Sequence, residues 1–335
     1  MVDSAVDPSG QLAPPGDEPE TLRQRIAAFH YFAMERIATG WPERSGRALF
    51  DLYGRFMHTA QPRLRETVAA NLSRVLGRPA ESDVVRAAVR DAFHLYGRYW
   101  YDTFRLRVMP PEEVNKRFIV EGLEVIDRAL EAGRGAILAL PHMGNWDAAG
   151  HFLCANGYRL AAVAELLKPK RVFDQFLRHR ESLGMRIIPL TEGRSAGYEV
   201  GRLLLENWCV ALVADRDLSG RGVDVEMFGA TRKLPAGPAL LSIKTGSPLL
   251  ACSVYTTDEG WFCRISEPLQ VESTGETRPD VTALTKLLAD HFERDIAAKP
   301  VDWHMFQPAW EGPGGSGAVS GANRMSWGLP GQNRP

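Results

Sequence analysis

The sequence predicts an α/β protein with a largely parallel central sheet flanked by helices and preceded by a helical segment. Two observations carry this. From about Thr21 to Leu106, apolar residues recur at helical spacing. After Phe118, short apolar runs (Ala136–Leu140, Leu160–Ala164, Ile187–Leu190, Cys209–Ala214) alternate with helical stretches, and such alternation needs crossover connections and hence parallel strands. With 335 residues, 44% of them hydrophobic, the chain can bury a substantial core.

The elements follow in order. Residues 1–19 carry four prolines and little apolar content, and residues 311–335 are rich in Gly, Pro, Ser and Asn; both ends are expected to be disordered. Residues 20–310 are read as a single α/β domain whose part 20–106 is helical. "TLRQRIAAFHYFAMERIA" places Leu22, Ile26, Phe29, Ala33 and Ile37 on one helical face. "ESDVVRAAVRDAFHLYGRYWYDTFRL" begins with a cap region at Glu81 or Ser82 and continues through Val85, Ala88, Ala92, Leu95 and Tyr99. The four apolar runs are buried strands. Val223 and Val225 alternate with Asp224 and Glu226, as in a half-exposed strand, and Pro238 suits a helix start. Leu249–Tyr255 and Trp261–Ile265 read as antiparallel strands around "TTDEG", and a last helix spans about Asp280–Ala298.

The formal net charge of −1 argues against a general nucleic-acid binder. Cys154, Cys209, Cys252 and Cys263 form no CxxC pair, three fall in apolar runs, and the reading is buried reduced thiols without zinc. The acidic, polar start is no secretory signal, and no apolar run reaches the roughly 18 residues of a membrane span. The expectation is a cytosolic protein, or one that sits on a membrane without crossing it.

In an open α/β sheet, ligands bind beyond the carboxyl ends of the strands. His142, Glu165, the Thr191–Gly197 loop and Asp215 all stand at such ends. In "AILALPHMGNWDAAGHFL" an apolar run delivers His142 to a turn containing Gly144, with Asp147 in the first turn of the next helix. Gly144 would let the backbone fold back so that Asp147 accepts a bond from one imidazole nitrogen, leaving the other to take a proton from an alcohol. The spacing equally fits a capped loop with an incidental histidine. A rival is "GRSAG", residues 193–197, which fits a nucleophile elbow with Ser195 as nucleophile, Asp215 as acid and His291 or His304 as base. Against it, Thr191 and Glu192 separate the strand from the first glycine, and Arg194 is bulky for so tight a bend; Ser195 also suits a helix cap. Lys168, Lys170, Arg171, Arg178, Arg180 and Arg186 form a basic cluster that reads as phosphate-binding or as a solvated helix face, and Arg216 and Arg221 flank a Gly-containing loop suited to phosphate. Met143 and Trp146 read as lining of a ligand pocket or as core. Backbone N–H groups near Gly144 or Arg216 are candidate oxyanion donors.

These residues carry a resemblance. "PHMGNWD" resembles the HX4D motif of glycerolipid and lipid A acyltransferases, and "LVADRDLSGRGVDVEMFGATRKLPAGPALLSIKTGSPLL" resembles the second block of the lipid A biosynthesis acyltransferase family. With "AELLKP", "RHRESLGMRIIPLT" and "DWHMFQPAW", the chain is similar to the phosphatidylinositol mannoside acyltransferases of actinobacteria over most of residues 20–310. The resemblance implies a glycerolipid-acyltransferase-like fold. It implies transfer of a fatty acyl group, such as palmitoyl, from acyl-CoA to the 6-hydroxyl of a mannose on a phosphatidylinositol mannoside. His142 takes the general-base role and Asp147 the partner role. Asp215 takes a second carboxylate position where the family has "AERD" and this chain "ADRD", one methylene shorter. Glu165 and Arg180 match positions lining the site, and neither a metal nor a cofactor is implied. The alternatives are a serine esterase using Ser195 and a non-catalytic lipid-binding protein.

Residues 21–80 hold ten Arg and four acids, a net +6, beside Phe29, Tyr31, Phe32, Trp41 and Phe56. That combination suits peripheral attachment to an anionic membrane surface, at the cytoplasmic face of the cell membrane where a glycolipid acceptor resides. Helices packed on the sheet with a solvated outer face would give the same composition.

Overall fold

The computed structural model describes residues 20–165, 169–190, 195–217 and 219–310, with the side chains of Arg23 and Ser195 left out; the two termini expected to be disordered lie outside the described residues. Four helices come first: α1 (Leu22–Gly40), α2 (Glu43–Ala60), α3 (Pro62–Leu76) and α4 (Asp83–Leu106). Thr21 caps α1 through a reciprocal box with Gln24, and Ser82 caps α4 by accepting from the Val85 N–H. α2 and α4 cross where Gly54 meets Gly97. A Cβ on either would lie 2.5 Å from a carbonyl oxygen of the other helix, Phe93 or Phe50, so only glycine permits the approach.

Then follow α5 (Pro111–Arg117), β1 (Phe118–Glu121), α6 (Leu123–Glu131), β2 (Ala136–Leu140), α7 (Trp146–Ala155), β3 (Leu160–Glu165), α8 (Lys170–Ser182), β4 (Arg186–Leu190), α9 (Ser195–Leu205) and β5 (Cys209–Val213). A hairpin, β6 (Val223–Met227) and β7 (Ala230–Leu234), leads through α10 (Gly237–Thr245) to β8 (Leu249–Thr256), β9 (Trp261–Ile265) and α11 (Thr277–Ala298). Seven strands form one sheet in the order β1-β9-β8-β2-β5-β3-β4, parallel except at β8–β9. The predicted strands and the antiparallel pair are therefore present. β1 and β7 escaped prediction: "FIVE" is a four-residue edge strand, and "ATRKL" carries two cations.

β2 is buried along its whole length, as its unbroken apolar run requires. One face packs on α9, α10 and α11 through residues such as Leu203, Ala239 and Leu288; the other packs on α6 and α7 through Ile126, Phe152 and Leu153. The helices α1, α2 and α4 share a third core around Phe50, Tyr101 and Phe104. Cys209, Cys252 and Cys263 are buried and free, and Cys154 is half-buried.

Candidate active site

The ladder between β2 and β5 continues one bond past the strands, from the Ala214 N–H to the Leu140 carbonyl at 2.7 Å. The two chains leave the sheet side by side, and His142 and Asp215 emerge together. His142 Nδ1 lies 2.5 Å from Asp215 Oδ1, and the His142 backbone N–H donates to Asp215 Oδ2 at 3.0 Å. The Trp303 indole N–H also donates to Oδ2, at 2.8 Å, and Arg232 donates to the Asp215 carbonyl. Asp215 is completely buried. Burial alone would raise its pKa, but the charge and hydrogen bond of His142, the Arg232 guanidinium and the Trp303 N–H outweigh it and hold the carboxyl well below the usual carboxylate range.

This corrects one expectation. Asp147 does lie in the first turn of α7, after Gly144 at φ +56°, where a Cβ would collide with the Val254 carbonyl. It does not hold His142. Its carboxylate bonds Arg180, Nε to Oδ1 at 2.6 Å and Nη2 to Oδ2 at 3.3 Å, and accepts from the Tyr99 hydroxyl at 3.4 Å. The reason is local. Asn145 caps α7 by accepting from the Ala148 N–H, which sets Asp147 on the helix's buried side toward α4 and α8, while Asp215 already fills the Nδ1 side of the imidazole. The Gly144 N–H is likewise engaged, donating to the Asp302 carbonyl at 3.0 Å, so it is no free oxyanion donor.

With Nδ1 on Asp215, Nε2 is the nitrogen left for a cavity of about 350 Å³ at the carboxyl ends of β3, β4 and β5. Tyr99, Trp146 and His304 flank His142 there; Glu165, Arg180, Arg216 and Gln307 supply polar groups, and Val200, Leu212 and Leu241 an apolar wall. Arg216 pairs with Glu165 at 2.8 Å and donates to Gln307 at 2.5 Å. Arg221 is exposed and is not part of the wall formed by the described residues. Met143 is core, whereas Trp146 lines both this cavity and an apolar one of about 60 Å³ under α7. Lys170, Arg171, Arg178 and Arg186 engage Asp174, Glu20, Gln175 and Glu199 on the outer faces, and Lys168 lies outside the described residues.

Ala196 and Gly197 reach the cavity, while Thr191–Arg194 and the Ser195 side chain lie outside the described residues. Both carboxylate oxygens of Asp215 are engaged by His142 and Trp303, not by His291 or His304, so the acid of the proposed elbow belongs to another histidine.

Sequence reasoning missed Trp303, Arg232, Tyr99 and Gln307. A signal existed in "DWHMFQPAW", a dense polar-aromatic stretch after the last helix, and the structure seats it against the His142 turn. His304 N–H donates to the His142 carbonyl at 2.7 Å, and Met143 bridges Trp303. Burial, then the nearby charge of His142, lower the pKa of His304 to about 3, so its ring is neutral.

An imidazole steadied by a buried carboxylate, with its second nitrogen on a cavity at strand ends, is an arrangement that can take a proton from a bound group and return it. The family model for bacterial lipid A biosynthesis acyltransferases matches residues 15–311, and the chain belongs to that family. It is 40% identical over 290 residues to the phosphatidylinositol mannoside acyltransferase of Mycolicibacterium smegmatis, covering 86% of this chain and 93% of the relative. The protein of that name from Mycobacterium tuberculosis is 40% identical over 286 residues, covering 82% and 87%. The chain is therefore an acyltransferase.

Proposed function

We propose that the chain transfers a fatty acyl group such as palmitoyl from acyl-CoA to the 6-hydroxyl of a mannose on a phosphatidylinositol mannoside. His142 Nε2 takes the hydroxyl proton as the oxygen attacks the thioester carbonyl. The tetrahedral intermediate collapses, the C–S bond breaks, and the departing CoA sulfur receives the proton from the imidazolium. A thioester is already activated, so no enzyme nucleophile is needed; the weak nucleophile is the sugar, and general-base help is worth roughly 10²–10⁴-fold. Asp215 keeps the proton on Nδ1 and offsets the imidazolium charge.

The observation carrying this reading is the His142–Asp215 pair opening on a cavity that joins an apolar wall to the Glu165–Arg216 pair. Alternating carboxylate and guanidinium groups suit vicinal hydroxyls, and the apolar wall suits an acyl chain. The decisive experiment incubates purified protein with palmitoyl-CoA and candidate glycolipids and identifies the product by mass spectrometry. Absence of an acylated mannoside, with free fatty acid instead, would replace the transferase reading with a thioesterase. A fluorophosphonate probe should leave Ser195 unlabelled.

We place the protein peripherally, on an anionic membrane at the cytoplasmic face. No helix among the described residues is long and apolar enough to cross a membrane. Leu22, Ile26 and Phe29 project from one face of α1, with Phe29 three-quarters exposed, and Arg25 and Arg36 stand exposed beside them. Trp41 and Phe56 are also exposed, whereas Tyr31 is core.

A further inference from the structure

The residues after α11 form a strap that crosses the turn carrying His142. It is held by backbone bonds at Gly144 and at the His142 carbonyl, and its one side-chain bond to the reacting pair is the Trp303 N–H on Asp215 Oδ2. That indole is 2% exposed, packed against Trp310 and facing the Arg232 guanidinium 5.7 Å from its ring. A buried aromatic needs no hydrogen bond to pack, and a buried carboxylate with two oxygens can rotate. Asp215 takes two bonds from His142, one from the backbone and one from the ring; the third fixes the carboxylate plane.

We propose that Trp303 is a positioning residue for the acyl transfer: its indole N–H locks the Asp215 carboxylate so that Oδ1 stays on His142 Nδ1 and Nε2 stays aimed into the cavity. This rests on the general-base reading above. The charged and titratable groups facing the pair are Arg232 from β7, His304 from the strap, Tyr99 from α4 and, across the cavity, the Glu165–Arg216 pair. Arg232 bonds the Asp215 carbonyl rather than its carboxylate, so loss of the indole donor leaves Oδ2 with the His142 N–H alone. An Asp215 less well satisfied draws more strongly on the imidazolium proton, which moves the acid limb of the rate profile upward.

The test compares Trp303→Phe, which keeps an aromatic ring and deletes the donor, with 3-benzothienylalanine at 303, which keeps the bicyclic shape and replaces N–H by sulfur. Both should lower kcat about 10- to 100-fold with KM for acyl-CoA little changed, in line with one hydrogen bond to a charged group. Both should also move the acid limb of the kcat profile upward relative to wild type. Histidine NMR supplies a readout independent of turnover: the titration curve of His142, assigned through its absence in His142→Ala, should shift in both variants. If the benzothienyl protein keeps the wild-type rate, acid limb and His142 titration, the proposal is overturned and Trp303 only fills space. If the titration shifts while wild-type protein acylates no mannoside, the positioning role stands and the substrate assignment falls.

Discussion

Arg180 Nε lies 2.6 Å from Asp147 Oδ1, and neither side chain is more than a tenth exposed. The aspartate of the His142–X4–Asp147 pattern thus neutralises a buried guanidinium that also lies over the Phe176 ring at 4.0 Å and lines the reaction cavity. Removing one partner of a buried pair costs about 3–5 kcal/mol because the other charge is stranded. Asp147→Asn should therefore lower the melting temperature clearly, with activity falling alongside, and Arg180→Met added to it should restore part of the loss. A full rate loss with unchanged melting would return Asp147 to the chemistry.

His142→Ala should lower acyl transfer by at least about 10²-fold while the protein melts cooperatively at nearly the wild-type temperature. A variant keeping more than half the rate would remove His142 from the mechanism.

For Asp215→Asn the expected loss is on the order of 10³–10⁴-fold in kcat, because an amide imposes the wrong tautomer on Nδ1 and removes the charge facing the imidazolium. Steady-state rates at saturating substrate would show it. An effect confined to KM would mean that the carboxylate orders substrate rather than His142.

His304 predicts a stability profile. Its folded pKa of about 3 lies below the unfolded histidine value near 6.5. The unfolded chain therefore binds its proton first, and stability is complete above about pH 6.5 and is lost as pH falls toward 3, by up to ~1.4 kcal/mol per unit. Chemical denaturation from pH 7.5 to 4.5 should show this slope, and His304→Asn should flatten it. An unchanged slope would mean that His304 takes its proton as readily in the fold as in the unfolded chain.

Membrane attachment should weaken when Leu22, Ile26 and Phe29 become Ser, and separately when Arg44 and Arg55 become Glu, measured by sedimentation with anionic vesicles. Only the charge variants should mimic the effect of raising salt, which shortens screening from about 30 Å at 0.01 M to about 8 Å at 0.15 M. Equal binding of wild type to neutral vesicles would refute the electrostatic part.

The strands and helices were legible because their cause is local: β2 is apolar throughout since both its faces are covered, and α4 announces its start with Ser82. His142 and Asp215 were legible as strand-end residues, but their pairing was not. It depends on β5 lying next to β2, with β3 and β4 beyond it, a strand order that no local pattern encodes. Asp147, five residues from His142, was the nearer acid in the chain and the wrong one in space. Trp303 was invisible for the same reason, since an indole N–H is assigned a partner only by the fold.

The strap has a consequence in time. Trp303 follows Asp215 by 88 residues. At roughly 5–20 residues per second of synthesis, the carboxylate leaves the ribosome on the order of ten seconds before the indole that steadies it. The growing chain can lay down β2 and β5 early, yet the reactive turn is finished only when nearly all of the described chain has been made. A prematurely terminated product lacking residues from 300 onward would carry the histidine and its acid without the indole donor and the strap's backbone bonds to the turn.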